Sequence, residues 1–195
     1  VDGTGPPVVL VHSGVTDHTS WDGVAAVLAR SRTAIRYDLR GFGASPPPTT
    51  GFRHLDDLVA VLDHLDVDPA VVVGNSFGGK LALDLTAALP GRVTAAAMLA
   101  APIAGWEWSA VVRAYGDAEE AALEAGDLDL AVRLNLDMWL RGPVREWSPP
   151  LRALAAEVEP PMRTALANQT TVDELELDDE RPAGASSLRR ASTQC

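Results

Sequence analysis

A serine acts as a nucleophile where the backbone lifts its hydroxyl off a sharp bend beside hydrogen-bond donors. The segment Val71-Val72-Val73-Gly74-Asn75-Ser76-Phe77-Gly78-Gly79 has the residues for such a bend. An apolar β-branched run enters G-x-S-x-G, and a helical pattern follows, which is the context a nucleophile elbow requires. Small residues two before and two after the serine let neighbouring backbone pack close, and Gly74 and Gly78 meet that need. Ser76 then stands at the positive end of a helix, where backbone N–H groups face a developing negative charge. A glycine-rich βα turn with an incidental serine has the same five letters, and the two flanks are what separate the readings. Gly74-Asn-Ser-Phe-Gly-Gly79-Lys80 also fits the first seven positions of a phosphate-binding loop. That reading fails at Leu81, where a Ser or Thr would have to ligate magnesium.

Two further segments end apolar runs in turns of their own. Pro6-Pro7-Val8-Val9-Leu10-Val11-His12-Ser13-Gly14 closes on H-[small]-G. Arg36-Tyr37-Asp38-Leu39-Arg40-Gly41-Phe42-Gly43-Ala44-Ser45 closes on D-x-R-G-x-G-x-S. With the serine turn, these motifs resemble the α/β-hydrolase superfamily in order and spacing. Gly105-Trp-Glu-Trp-Ser109 and Asn135-Leu-Asp-Met-Trp-Leu-Arg-Gly-Pro143 look like the cap of small bacterial-type members. The resemblance runs from about Pro6 to Leu177.

The resemblance implies roles residue by residue. Ser76 matches the nucleophile, and the N–H of Phe77 matches one oxyanion donor. Gly14 matches the other, with Val15 as its substitute if the loop shifts by one. His12 matches a histidine that holds the oxyanion loop and is expected to be structural. Asp38 and Arg40 match a turn that braces the site from behind. The implied reaction is hydrolysis of an ester or related acyl bond in a small-molecule substrate, with no metal or organic cofactor. Serine in place of aspartate at position 76 disfavours chemistry through an alkyl-enzyme. Carbon–carbon hydrolysis and cofactor-free peroxidase chemistry stay open.

The base is what the pattern lacks. In this superfamily the acid and the histidine follow the serine, yet all four histidines, at 12, 18, 54 and 64, precede Ser76. An impaired hydrolase is therefore expected. The alternative is a truncated, non-catalytic relative or a small-molecule binding module. The resemblance stops close to Leu177, as it would after a frameshift or premature stop, and the start at Val1 reads as a fragment or a processed form. His54 and His64 fall on the polar face of an amphipathic helix and are expected to be solvated. His18 could approach the pocket mouth, and a metal cluster of His12, Asp17 and His18 would lack a third well-spaced ligand.

Four short runs, 8–11, 33–37, 70–73 and 93–99, must position these turns. They alternate with helical patterns near 21–29, 55–65 and 78–89, which reads as an α/β fold: a parallel sheet with helices on both faces. By the resemblance the strands stack with 8–11 and 70–73 central, both outer strands lie unpaired and the core is incomplete. Homodimerisation or a complementing fragment through those exposed edges is the expected consequence. Residues 1–103 are read as the partial core and 104–177 as a helical cap. Residues 178–195 are read as a disordered tail in which Arg189-Arg190-Ala191-Ser192 resembles a basic phosphorylation site. The cap tryptophans, at 106, 108, 139 and 147, are expected to be core.

Composition narrows the classes. The 195 residues are 47% hydrophobic with a net charge of -11, and 16 basic side chains against 27 acidic ones argue against nucleic acid and anionic lipid. No apolar run reaches the roughly 20 residues of a membrane span. The sole cysteine, Cys195, forms no disulfide within the chain. A soluble, cytoplasmic protein is expected.

Overall fold

In the computed structural model, residues 1–103 and 105–177 are described, so the expectations for 178–195 lie outside the described residues. The apolar runs form β1 (Pro7–Val11), β2 (Thr33–Arg36), β3 (Ala70–Asn75) and β4 (Val93–Leu99). All pair in parallel in the order β2-β1-β3-β4, as the resemblance implied. Central parallel strands are covered on both faces and so read as continuous apolar runs instead of alternating ones. The sequence PVVLV of β1 is such a run, with Val8 to Val11 buried.

Helices close the two faces unequally. On one face α1 (Asp22–Leu28) brings Ala25 and the preceding Trp21 against Val8, Leu10 and Ala34. On the other, α2 (His54–His64) and α3 (Phe77–Ala88) pack Leu55, Leu58, Leu62, Leu81 and Leu85 on Val9, Val11, Ile35 and Val72. Beyond β3 the first face thins out. Val71 and Val73 are half-buried, and their β4 neighbours Ala95 and Ala97 are exposed, as are Met98 and Leu99. The opposite edge corrects the expectation of two bare outer strands. Asp2 bridges β2 in antiparallel fashion, its N–H donating to the Ala34 carbonyl at 2.9 Å and its carbonyl accepting from Ala34 at 2.8 Å.

After β4 the chain turns helical, with α4 (Ala110–Glu124), α5 (Leu128–Asn135), a π-helical turn (Leu136–Arg141) and α6 (Pro149–Leu175). This unit has its own core of Ala122, Ala131, Val132, Leu136, Met162 and Leu166. The Tyr115 hydroxyl, which contacts both Glu119 and Asn135 at 2.7 Å, ties α4 to α5. Helix α6 serves both cores. Past Pro160 and Pro161 it returns to the sheet, where Ala165 joins the main cluster and Asn168 donates to the Gly41 carbonyl at 2.8 Å. The tryptophans of this unit do not form its core, contrary to expectation. Trp106 and Trp139 are 65% and 51% exposed, and Trp108 and Trp147 are half-buried. Small and aliphatic side chains fill this core instead. The Trp147 ring lies at its rim, where its N–H reaches Asp137 at 3.0 Å.

Candidate active site

The local geometry at Ser76 follows from its glycines. Ser76 stands between β3 and α3 with φ 51° and ψ -116°, a left-handed conformation that costs a side-chain-bearing residue on the order of 1–3 kcal/mol. Tertiary packing holds it there. The Ser76 N–H donates to the Leu99 carbonyl at 2.8 Å, tying the turn to the end of β4. A methyl group on Gly74 would lie 2.0 Å from the Gly78 carbonyl oxygen. One on Gly78 would lie 2.3 Å from the Val11 oxygen and 2.5 Å from the His12 oxygen. The bend therefore closes only with hydrogen at both positions.

The same packing joins the serine turn to the turn after β1. A methyl on Gly14 would sit 3.6 Å from Cβ of Phe77, an ordinary van der Waals contact, so the two backbones lie side by side. The Ser13–Thr16 turn is held by its own contacts, with the Ser13 N–H donating to Thr16 Oγ1 at 3.3 Å and the Thr16 N–H to the Ser13 carbonyl at 3.3 Å. His12 anchors this loop from below. It is fully buried, its Nε2 accepts from the Leu39 N–H at 3.0 Å, and Nδ1 therefore bears the hydrogen donated to the Ser13 carbonyl at 2.8 Å. Burial pushes its pKa below the usual imidazole value, which the hydrogen bond to Ser13 only partly offsets. His12 is thus a neutral strut. Long-range proton–nitrogen NMR should find its ring in one neutral tautomer at pH 6, where a solvated imidazole is largely charged; an imidazolium spectrum there would contradict the assignment.

Asp38 and Arg40 brace adjoining loops. Burial works against the Asp38 carboxylate, but the N–H groups of His18 at 2.8 Å and Ala44 at 2.9 Å, together with His18 Nδ1 at 2.7 Å, outweigh it and lower its pKa. The carboxylate thus stabilises the fold fully above the unfolded value near 3.9, and that contribution is lost as the pH falls through the lower folded value. Urea midpoints measured from pH 5 down to pH 2.5 should show a steeper acid limb for the natural chain than for Asp38→Asn; parallel limbs would exclude this role. Arg40 forks onto Asp57 at 2.9 and 2.6 Å and lies over the Phe52 ring at 5.2 Å. Both partners of the fork are partly exposed, so Arg40→Ala is expected to cost about 1 kcal/mol.

The histidines depart from expectation in two places. His18 turns to Asp38, and with Asp17 it brings three donor atoms within 4.8 Å of one another. Asp38, not His12, is thus the third member of that group, whose oxygens are already engaged by backbone N–H groups. His54 is not solvated: it is 1% exposed, with its ring centroid 4.8 Å from Phe52 and 5.2 Å from Phe77. The sequence carried this signal, because His54 stands four residues before Leu58 and eight before Leu62, on the stripe that faces the sheet. His64 is exposed, as expected. All four imidazoles precede Ser76 in the chain; His12 spends its two ring nitrogens on Ser13 and Leu39, and His18 its Nδ1 on Asp38.

Residues 6–147 match the family profile described as alpha/beta hydrolase fold. The chain belongs to the α/β-hydrolase family. Among its relatives, the 2-hydroxymuconate semialdehyde hydrolase of Pseudomonas sp. strain CF600 is 41% identical over 98 residues, which are 47% of this chain and 35% of that protein. A solved hydrolase from Pseudomonas aeruginosa PA01 superposes with a TM-score of 0.68 at 25% identity, over 88% of this α/β hydrolase and 65% of its own chain. The enol-lactonase of Burkholderia xenovorans LB400 shares the fold, with a TM-score of 0.70 at 21% identity, 88% of this chain and 67% of its own. The chain thus spans about a third of that curated relative and about two thirds of those solved structures. No helix among the described residues is long and apolar enough to cross a membrane.

Proposed function

We propose that Ser76 is the nucleophile of a serine hydrolase site acting on an ester or related acyl bond of a small molecule. Its hydroxyl oxygen attacks the carbonyl carbon, and the N–H groups of Phe77 and Gly14 receive the oxyanion. The observation that carries this reading is the left-handed bend at Ser76, held against the Gly14 turn by glycines that tolerate no side chain. Strain of this size persists where surrounding structure overdetermines it, and such positions cluster at functional sites. The relatives' names support hydrolysis as the reaction class.

On this reading the chain supplies the nucleophile and its donors, while two of its imidazoles, His12 and His18, are engaged with other groups. His12 bridges Ser13 to Leu39, and His18 is held by Asp38. This chain alone is therefore expected to react slowly, since oxyanion stabilisation and binding without the full triad leave about 10³ to 10⁴ over water. The same placement of the imidazoles favours a second reading, a binding module that keeps the pocket without turnover.

A fluorophosphonate probe distinguishes the two. Covalent mass gain mapped by peptide sequencing to Ser76 supports the hydrolase. A folded sample left unmodified after prolonged exposure favours the binding module.

A further inference from the structure

We infer that His54 is a positioning residue for the oxyanion site, acting through the ring of Phe77. The inference rests on the hydrolase reading for its chemistry and on ring packing for its geometry. Phe77 immediately follows Ser76, and its N–H is the candidate donor; whatever fixes its side chain limits where that N–H can point. His54 meets the Phe77 ring edge-on, with centroids 5.2 Å apart and planes at 79°. It meets Phe52 likewise at 4.8 Å and 86°, and lies 6.2 Å from Phe42. Phe42 in turn lies 5.2 Å from His12, the strut beneath the Gly14 turn.

These rings form a continuous chain, His12–Phe42–His54–Phe77, that reaches both donor-bearing turns from behind. His54 is its middle member and the first residue of α2, so the helix that covers the sheet also sets the wall behind the elbow. Edge-to-face contacts have preferred geometry, and a buried ring that makes several of them has little freedom to shift. An aliphatic residue of similar bulk would fill the space without holding Phe77 at one angle.

The test compares His54→Ala, His54→Phe and Phe77→Ala with the natural chain by fluorophosphonate inactivation kinetics and by the backbone amide NMR signal of residue 77. Displacing a catalytic group by about 1 Å costs on the order of 10²-fold, and losing one donor about 10² to 10³. His54→Ala is expected to lower the maximal inactivation rate roughly 10- to 100-fold with the probe's half-saturation concentration little changed, and to shift the residue 77 amide. His54→Phe should restore both, because it returns a ring to the cage. Phe77→Ala keeps the N–H but removes the ring that His54 contacts, so it should reproduce the rate loss, and adding His54→Ala to it should cost little more.

A folded His54→Ala chain with an unchanged rate and amide signal would overturn the inference, as would a Phe77→Ala chain that reacts at the natural rate. Should His54→Ala fail to fold, the Phe77→Ala and His54→Phe arms decide. If the natural chain is itself unreactive, the hydrolase reading fails, and the amide signal alone then reports whether His54 fixes Phe77.

Discussion

Gly78→Ala is expected to lower the melting temperature by roughly 6–12 °C, since overpacking of this kind costs up to about 3 kcal/mol and each kcal/mol shifts a chain of this size by about 2–4 °C. The added methyl would lie 2.3 and 2.5 Å from two backbone carbonyl oxygens of β1 and the turn after it. Neither oxygen can swing aside as a side chain could, so α3 must lift from the sheet and take the serine turn with it. Gly116 in α4 provides the control, because a methyl there meets nothing within 4 Å. Gly116→Ala should stabilise by about 0.5–1 kcal/mol through helix propensity and a less flexible unfolded chain. The two identical substitutions are thus expected to move calorimetric melting in opposite directions. A Gly78→Ala chain that melts with or above the natural one would mean that the elbow is looser than these contacts imply.

Ser76→Gly and Ser76→Ala should both abolish fluorophosphonate labelling, yet differ in stability. With φ 51° and ψ -116°, position 76 has a conformation in which glycine is at ease and alanine is not. Ser76→Gly is therefore expected to be about 1 kcal/mol more stable than Ser76→Ala, net of the extra entropy glycine loses on folding. Urea unfolding of the pair measures this directly. Alanine proving the more stable would show that the bend relaxes once the hydroxyl is gone. Labelling that survives in Ser76→Ala would move the nucleophile to another residue and undo the proposed function.

The difference between His54 and His12 shows where sequence reasoning reached and where it stopped. His12 follows a buried strand directly, and both of its hydrogen bonds go to backbone groups, one on its neighbour Ser13 and one on Leu39 in the adjoining turn. A structural role for His12 is what the family resemblance implies, and its contacts lie with backbone groups close by. The polar character of His54 suggests the solvent face, but its spacing from Leu58 and Leu62 puts it on the buried stripe. What buries it is a cage of Phe42, Phe52 and Phe77 drawn from three separate segments. Asp2 repeats the lesson, since its pairing with Ala34 spans residues that no local pattern connects. The tryptophans at 106, 108, 139 and 147 are a third case, where ring size suggests burial but Ala131, Val132 and Leu136 already fill the interior.

The parallel sheet, the glycine-framed serine and the order of the motifs are legible along the chain, because strand patterning and turn chemistry are local and their residues stand next to one another. Which imidazole faces which partner, which ring wall stands behind the elbow and which edge of the sheet is covered emerge in the folded molecule alone. Those depend on contacts between segments far apart in sequence, and burial there is settled by the geometry of the whole packing, not by the character of any one side chain.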